Sequence, residues 1–84
     1  MTKRTVIWSP EARKDLRAID RESALQILQV IDRYLSSGAG DVKKLQPPRH
    51  EFRLRVGDYR VLFLPKDEHT IEILRVLHRR EAYR

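Results

Sequence analysis

"FRLRVGDYRVLF", Phe52 to Phe63, alternates apolar residues with arginines, breaks at a Gly-Asp pair and then resumes. Strict alternation reads as a strand with one buried face. A two-residue break containing glycine reads as a hairpin turn. A loop of Gly57 and Asp58 pairs Val56 with Tyr59, Arg55 with Arg60, Leu54 with Val61, Arg53 with Leu62 and Phe52 with Phe63. Directly opposed residues share a face. Phe52, Leu54, Val56, Tyr59, Val61 and Phe63 therefore form the packed side, and Arg53, Arg55 and Arg60 the other.

Arg55 opposite Arg60 is a like-charge pair, which destabilises a ladder. A bound polyanion would offset it. The plain alternative is a solvated face on which long side chains spread and their stems cover the sheet. Three features favour an anion site. No acidic residue is interleaved in the hairpin strands, although the chain has 12. A guanidinium is always charged and grips phosphate through two parallel hydrogen bonds. Further cations flank the hairpin: Lys43, Lys44 and Arg49 before it, Arg75, Arg79, Arg80 and Arg84 after it.

Upstream, "TVIW" (Thr5 to Trp8) reads as a short strand of β-branched and aromatic residues. Ser9, Pro10 and Glu11 then mark a helix start: an N-cap, a first-turn proline and an acid where the helix dipole favours it. A second helix is expected from about Arg21 to Leu35, with Ala24, Ile27, Leu28, Ile31 and Leu35 along one face. Gly38 is its expected C-cap. "VKKLQPPRHE" reads as a connector, because Pro47 and Pro48 exclude a helix interior and a central strand. Strands follow at Glu51 to Val56, Tyr59 to Pro65 and Thr70 to Leu77. Helices and strands that run in blocks predict an α+β fold: an N-terminal strand, a helical hairpin and a three-stranded antiparallel meander in one twisted sheet.

The chain has 84 residues, the size of one domain spanning residues 1–84. Its 18 Lys and Arg against 12 Asp and Glu give a net charge of +6, which suits nucleic acid, an acidic protein or an anionic surface. There is no cysteine, hence no disulfide framework or thiolate metal site. No apolar run reaches the length of a membrane span, so a cytoplasmic location without membrane contact is expected.

The acids are scattered, the histidines His50, His69 and His78 lack ligand spacing, and no P-loop, GxSxG or cysteine nucleophile occurs. An enzyme of this composition is expected to work with no metal or other cofactor. RNA permits that, since its 2′-hydroxyl can attack the adjacent phosphate. The protein then orients the backbone, neutralises charge and moves protons. Either Tyr83 or His78 could protonate the leaving oxygen, and each has a bland reading, as a packed ring or a strand end.

"WSPEARKDL", "KKLQPPRHEFRLRVGDYRVLF" and "ILRVLHRREAYR" together resemble the RelE/ParE superfamily of bacterial and archaeal toxins over essentially the whole chain. The resemblance implies a RelE-like compact fold of two helices against a twisted antiparallel sheet. In the RelE branch it implies a toxin of a type II toxin–antitoxin pair, a metal-independent endoribonuclease that cuts messenger RNA in the ribosomal A site. The implied partners are a cognate antitoxin, ribosomal RNA and mRNA, with operator DNA a ligand of the toxin–antitoxin complex. Carried over, the catalytic residues fall on Arg53, Arg55, Arg60, Arg79 and Tyr83. Lys43, Lys44, Arg49 and His78 complete the expected substrate-binding set.

One departure matters. The best-known RelE pattern has lysines where this chain has Arg53 and Arg55. Arginine does not lose its proton, so these residues suit phosphate clamping and not general-base work, which would pass to His50 or His78. The ParE branch shares the fold but poisons DNA gyrase. A third reading is a non-catalytic member that only binds its antitoxin. Arg79 together with Tyr83 favours the RelE branch.

Overall fold

The computed structural model describes residues 3–82. In chain order the elements are β1 (Thr5–Trp8), α1 (Pro10–Arg17), α2 (Arg21–Ser37), β2 (Asp41–Lys44), β3 (Phe52–Val56), β4 (Tyr59–Pro65), β5 (Thr70–His78) and the short α3 (Arg79–Ala82). The strands form one sheet in the order β1-β5-β4-β3-β2, with β1 parallel to β5 and the other neighbours antiparallel. The α+β architecture is as the element order predicts, with two additions: the sheet has five strands, and the short helix α3 follows β5. Asp41 to Lys44, expected as part of a connector, pair with β3 as an edge strand. The two prolines lie beyond it, so they end the strand and do not prevent it.

Local chemistry sets the helix ends. The Ser9 Oγ accepts a hydrogen bond from Ala12 N at 3.0 Å and donates to Leu74 O at 2.8 Å, capping α1 and fastening it to β5. Asp20 caps α2 by accepting from Ser23 N at 3.0 Å. Gly38 ends α2 at φ 77°, where its N–H donates to Tyr34 O at 2.8 Å and a side chain would be strained. Ile27, Ile31 and Leu35 bury the inner face of α2, whereas Leu28 is 39% exposed and lies at the margin of the predicted stripe.

The core lies between the helices and one face of the sheet, around Leu54, Val56, Val61, Phe63, Ile71, Ile73 and Val76. "TIEILRVLH" does not alternate cleanly because of a register shift opposite Leu62/Phe63: Phe63 pairs with Ile73 while Leu62 pairs with Arg75. The extra residue, Leu74, lets Ile71 and Ile73 on one side of the bulge and Val76 on the other all face the core. Tyr34, Phe52 and Phe63 interlock, with ring centroids 5.4 and 5.6 Å apart. Among the described residues no helix is long and apolar enough to cross a membrane.

Candidate functional site

The hairpin register is the one a Gly57–Asp58 loop requires, with Arg55 opposite Arg60 and Arg53 opposite Leu62. Gly57 has φ 55° and Asp58 does not have positive φ, the pattern of a type II′ turn. The outer sheet face therefore carries two rows. One runs Lys43, Arg53, Leu62, Arg75; the other runs Asp41, Arg55, Arg60, Leu77.

The like-charge problem is resolved within the protein. Arg60 is only 7% exposed. Its Nη1 donates to Gly57 O at 2.8 Å and to Tyr59 O at 2.9 Å, so the guanidinium turns back onto the hairpin loop. Its Nε is buried without a partner among the described residues. The expected exposed trio is thus an exposed Arg55, a partly covered Arg53 and a buried Arg60. No acid is interleaved in the hairpin strands, but β2, expected as connector and not as strand, brings Asp41 onto the same face opposite Arg55. The Asp41 Oδ1 lies 3.3 Å from the Arg53 Nη2.

Arg79 reaches the same turn from the end of β5. Its N–H donates to Asp58 O at 2.7 Å, and its Nε lies 3.8 Å from the Asp58 carboxylate. Arg60 and Arg79 thus brace the loop from two sides. Arg75, a flanking cation in the sequence, makes a bidentate pair with Asp15 of α1 at 2.7 and 3.1 Å. The same carboxylate accepts from Val76 N at 2.9 Å. Burial alone would lift the Asp15 carboxyl, but the bonds from Arg75 and Val76 outweigh it and hold the group below the usual carboxylate value.

The other expected site residues divide between the two faces. Lys43 is exposed in the arginine row. Lys44 pairs with Phe52 on the helix side, its Nζ 6.0 Å from the ring centre. Arg49 is in the connector, bonded to Glu51 at 3.0 Å, and His50 beside it is exposed. His78 pairs with Tyr59, also on the helix side, with the rings edge to face at 5.6 Å. Its Nδ1 accepts from Arg80 N at 3.2 Å, which leaves the proton of the neutral ring on Nε2. The sheet thus separates His78 from Arg53 and Arg55. Tyr83 lies outside the described residues. The exposed or partly exposed cations on this face are Lys43, Arg53, Arg55 and Arg75; Arg53 and Arg75 are paired with Asp41 and Asp15, and among the described residues neither Lys43 nor Arg55 has an ion-pair partner. The described residues hold no group of three His, Cys, Asp or Glu placed to bind a metal ion. The arrangement can grip an anion through fixed, permanently charged donors.

The family described as the ParE toxin of the type II toxin–antitoxin system parDE matches residues 6–83. No curated protein sequence matches significantly. The toxin–antitoxin complex RelBE2 from Mycobacterium tuberculosis contains a similar chain, at 30% identity and TM-score 0.81, covering 93% of each chain. The RelB–RelE antitoxin–toxin complex from Methanococcus jannaschii contains another, at 27% identity and TM-score 0.74, covering 92% of this chain and 94% of that one. The archaeal RelE–RelB complex from Pyrococcus horikoshii shares the fold at 24% identity and TM-score 0.76, covering 96% of this chain and 100% of that one. With its helical hairpin, its mixed sheet and a family match over nearly its whole length, the chain belongs to the RelE/ParE superfamily of type II toxin–antitoxin toxins.

Proposed function

We infer that this toxin is an endoribonuclease of the RelE kind, which cuts messenger RNA on the ribosome using the RNA's own 2′-hydroxyl. The observation that carries this reading is the basic patch on β2 and β3, where exposed Lys43 and Arg55 and the partly covered Arg53 stand on rigid strands. In this reaction O2′ attacks the adjacent phosphorus and the P–O5′ bond breaks. The 2′-hydroxyl proton leaves to a base, O5′ takes up a proton, and the products are a 2′,3′-cyclic phosphate and a 5′-hydroxyl. Arg53 and Arg55 neutralise the phosphoryl oxygens, where charge accumulates in the transition state. Their placement on strands keeps those donors fixed through the reaction. Tyr83 supplies the proton to O5′ in this reading, since His78 sits on the other sheet face. Arg60 and Arg79 act at one remove by bracing the turn.

The net charge of +6 favours association with ribosomal RNA. The similar RelB–RelE structures are antitoxin–toxin complexes, which supports a cognate antitoxin as the controlling partner here.

The match to the ParE toxin family favours a second reading, inhibition of DNA gyrase. Adding the purified toxin in parallel to a cell-free translation reaction and to a gyrase supercoiling reaction separates the two. The ribonuclease reading expects loss of full-length message in the first and unchanged supercoiling in the second. Intact message with arrested supercoiling would replace it with the gyrase reading.

A further inference from the structure

A cleft of ≈ 440 Å³ opens beside the edge strand β2, lined by Lys43, Lys44, Leu45, Gln46 and Arg53. We propose that this cleft is a nucleotide subsite next to the scissile phosphate, and that Asp41 guards it by holding Arg53 until an RNA phosphate takes its place. The proposal rests on the ribonuclease reading for its substrate class.

The lining matches the chemistry of a nucleotide. Its volume falls in the range of small-ligand sites, roughly 300–1,000 Å³. Lys43 and Arg53 offer positive charge for a phosphate. The Leu45 side chain and the alkyl stems of the lysines offer an apolar surface for a base, and the Gln46 amide can both donate to and accept from a base edge. Arg53 belongs to both the cleft and the arginine row. Arg55 stands two residues along the same strand, roughly 7 Å away. A single RNA strand lying along β3 would thus place one phosphate on Arg55 and its neighbour on Arg53.

Asp41 occupies the second of those positions with a carboxylate. Its side chain is 58% exposed, whereas that of Arg53 is 11% exposed. The anion in the pair is therefore the partner open to exchange with solvent, and surface pairs of this kind hold weakly. Asp41 also stands opposite Arg55, so one carboxylate tempers both arginines in the free toxin.

The test is equilibrium binding of a fluorescein-labelled oligouridylate to the intact chain, read by anisotropy at several salt concentrations and without ribosomes. Asp41→Asn is expected to tighten binding about twofold to fivefold, the range of an exposed ion pair. Lys43→Ala is expected to weaken binding and to flatten the dependence of log K on log salt by about 0.7, one phosphate contact on a single strand. In an Arg53→Gln background the gain from Asp41→Asn should disappear. An equal gain with and without Arg53 would mean that Asp41 acts only through net charge, and would overturn the guard. Wild-type affinity and salt slope in Lys43→Ala would overturn the subsite. Because no ribosome is present, failure of messenger cleavage in translation does not produce either result, and the two readings can fail separately.

Discussion

Arg55 and Arg60 face each other across the β3–β4 ladder, yet Arg55 is exposed to solvent while Arg60 is 7% exposed and bonded to Gly57 O and Tyr59 O. Two residues of one type at paired positions therefore do different work. Arg60 holds the turn, and Arg55 is left open to solvent.

Stability should separate them. Arg60→Ala removes two charge-assisted hydrogen bonds and a buried stem, and is expected to cost about 2–4 kcal/mol in urea unfolding. Arg55→Ala should stay within about 0.5 kcal/mol of wild type. Equal, small effects would show that Arg60 is not a structural anchor.

The hairpin register was legible because a two-residue loop leaves no freedom in pairing and every position on the packed side, Phe52, Leu54, Val56, Tyr59, Val61 and Phe63, is apolar or aromatic. The start of α1 and the end of α2 were legible because Ser9-Pro10 and Gly38 have few other uses. The fate of Arg60 was not: alternation gives the side a Cβ leaves from, not where a long side chain ends. β2 escaped because "DVKK" is mostly polar, as a solvated edge strand is allowed to be, and lies only a few residues before two prolines. With β2 missed, Asp41 was missed as the acid on the arginine face. The pairing of β1 with β5 joins distant parts of the chain and leaves no local sign.

The turn itself offers a second test. Gly57 has φ 55°, and a Cβ there would meet nothing within 4 Å, so the cost of a side chain is purely conformational. Gly57→Ala is expected to lose about 1–2 kcal/mol. Since Gly57 O accepts from Arg60, the double variant with Arg60→Ala should lose less than the sum of the two single losses. Strict additivity in a double-mutant cycle would argue that the turn and Arg60 are independent.

Asp15 ties α1 to the edge of β5 through Arg75 and Val76 N. Asp15→Ala leaves that N–H and the guanidinium without their partner, and is expected to cost about 1–3 kcal/mol at neutral pH. The sign of the pH effect follows from the depressed carboxyl. The stability it contributes is present above its unfolded value near 3.8 and is lost as pH falls through its lower folded value. Wild type should therefore lose more stability than Asp15→Ala between pH 5 and pH 2.5. Asp20 and Asp67 are also held low, by backbone N–H groups of Ser23 and His69, so some acid sensitivity should persist in the variant. Identical pH profiles for the two proteins would contradict the assignment.

The central claim is that the arginines on the open sheet face act on RNA, and primer-extension mapping of a reporter message in a cell-free translation system addresses it most directly. Wild type and Arg55→Ala would be run side by side, because Arg55 is exposed and its loss is expected to leave the fold intact. The account predicts new cuts at ribosome-occupied codons with wild type, reduced by about 10²–10³-fold in Arg55→Ala, the scale of losing one transition-state donor. Cuts of equal strength with both proteins would contradict the role given to this face, and an intact message with both would contradict the ribonuclease itself.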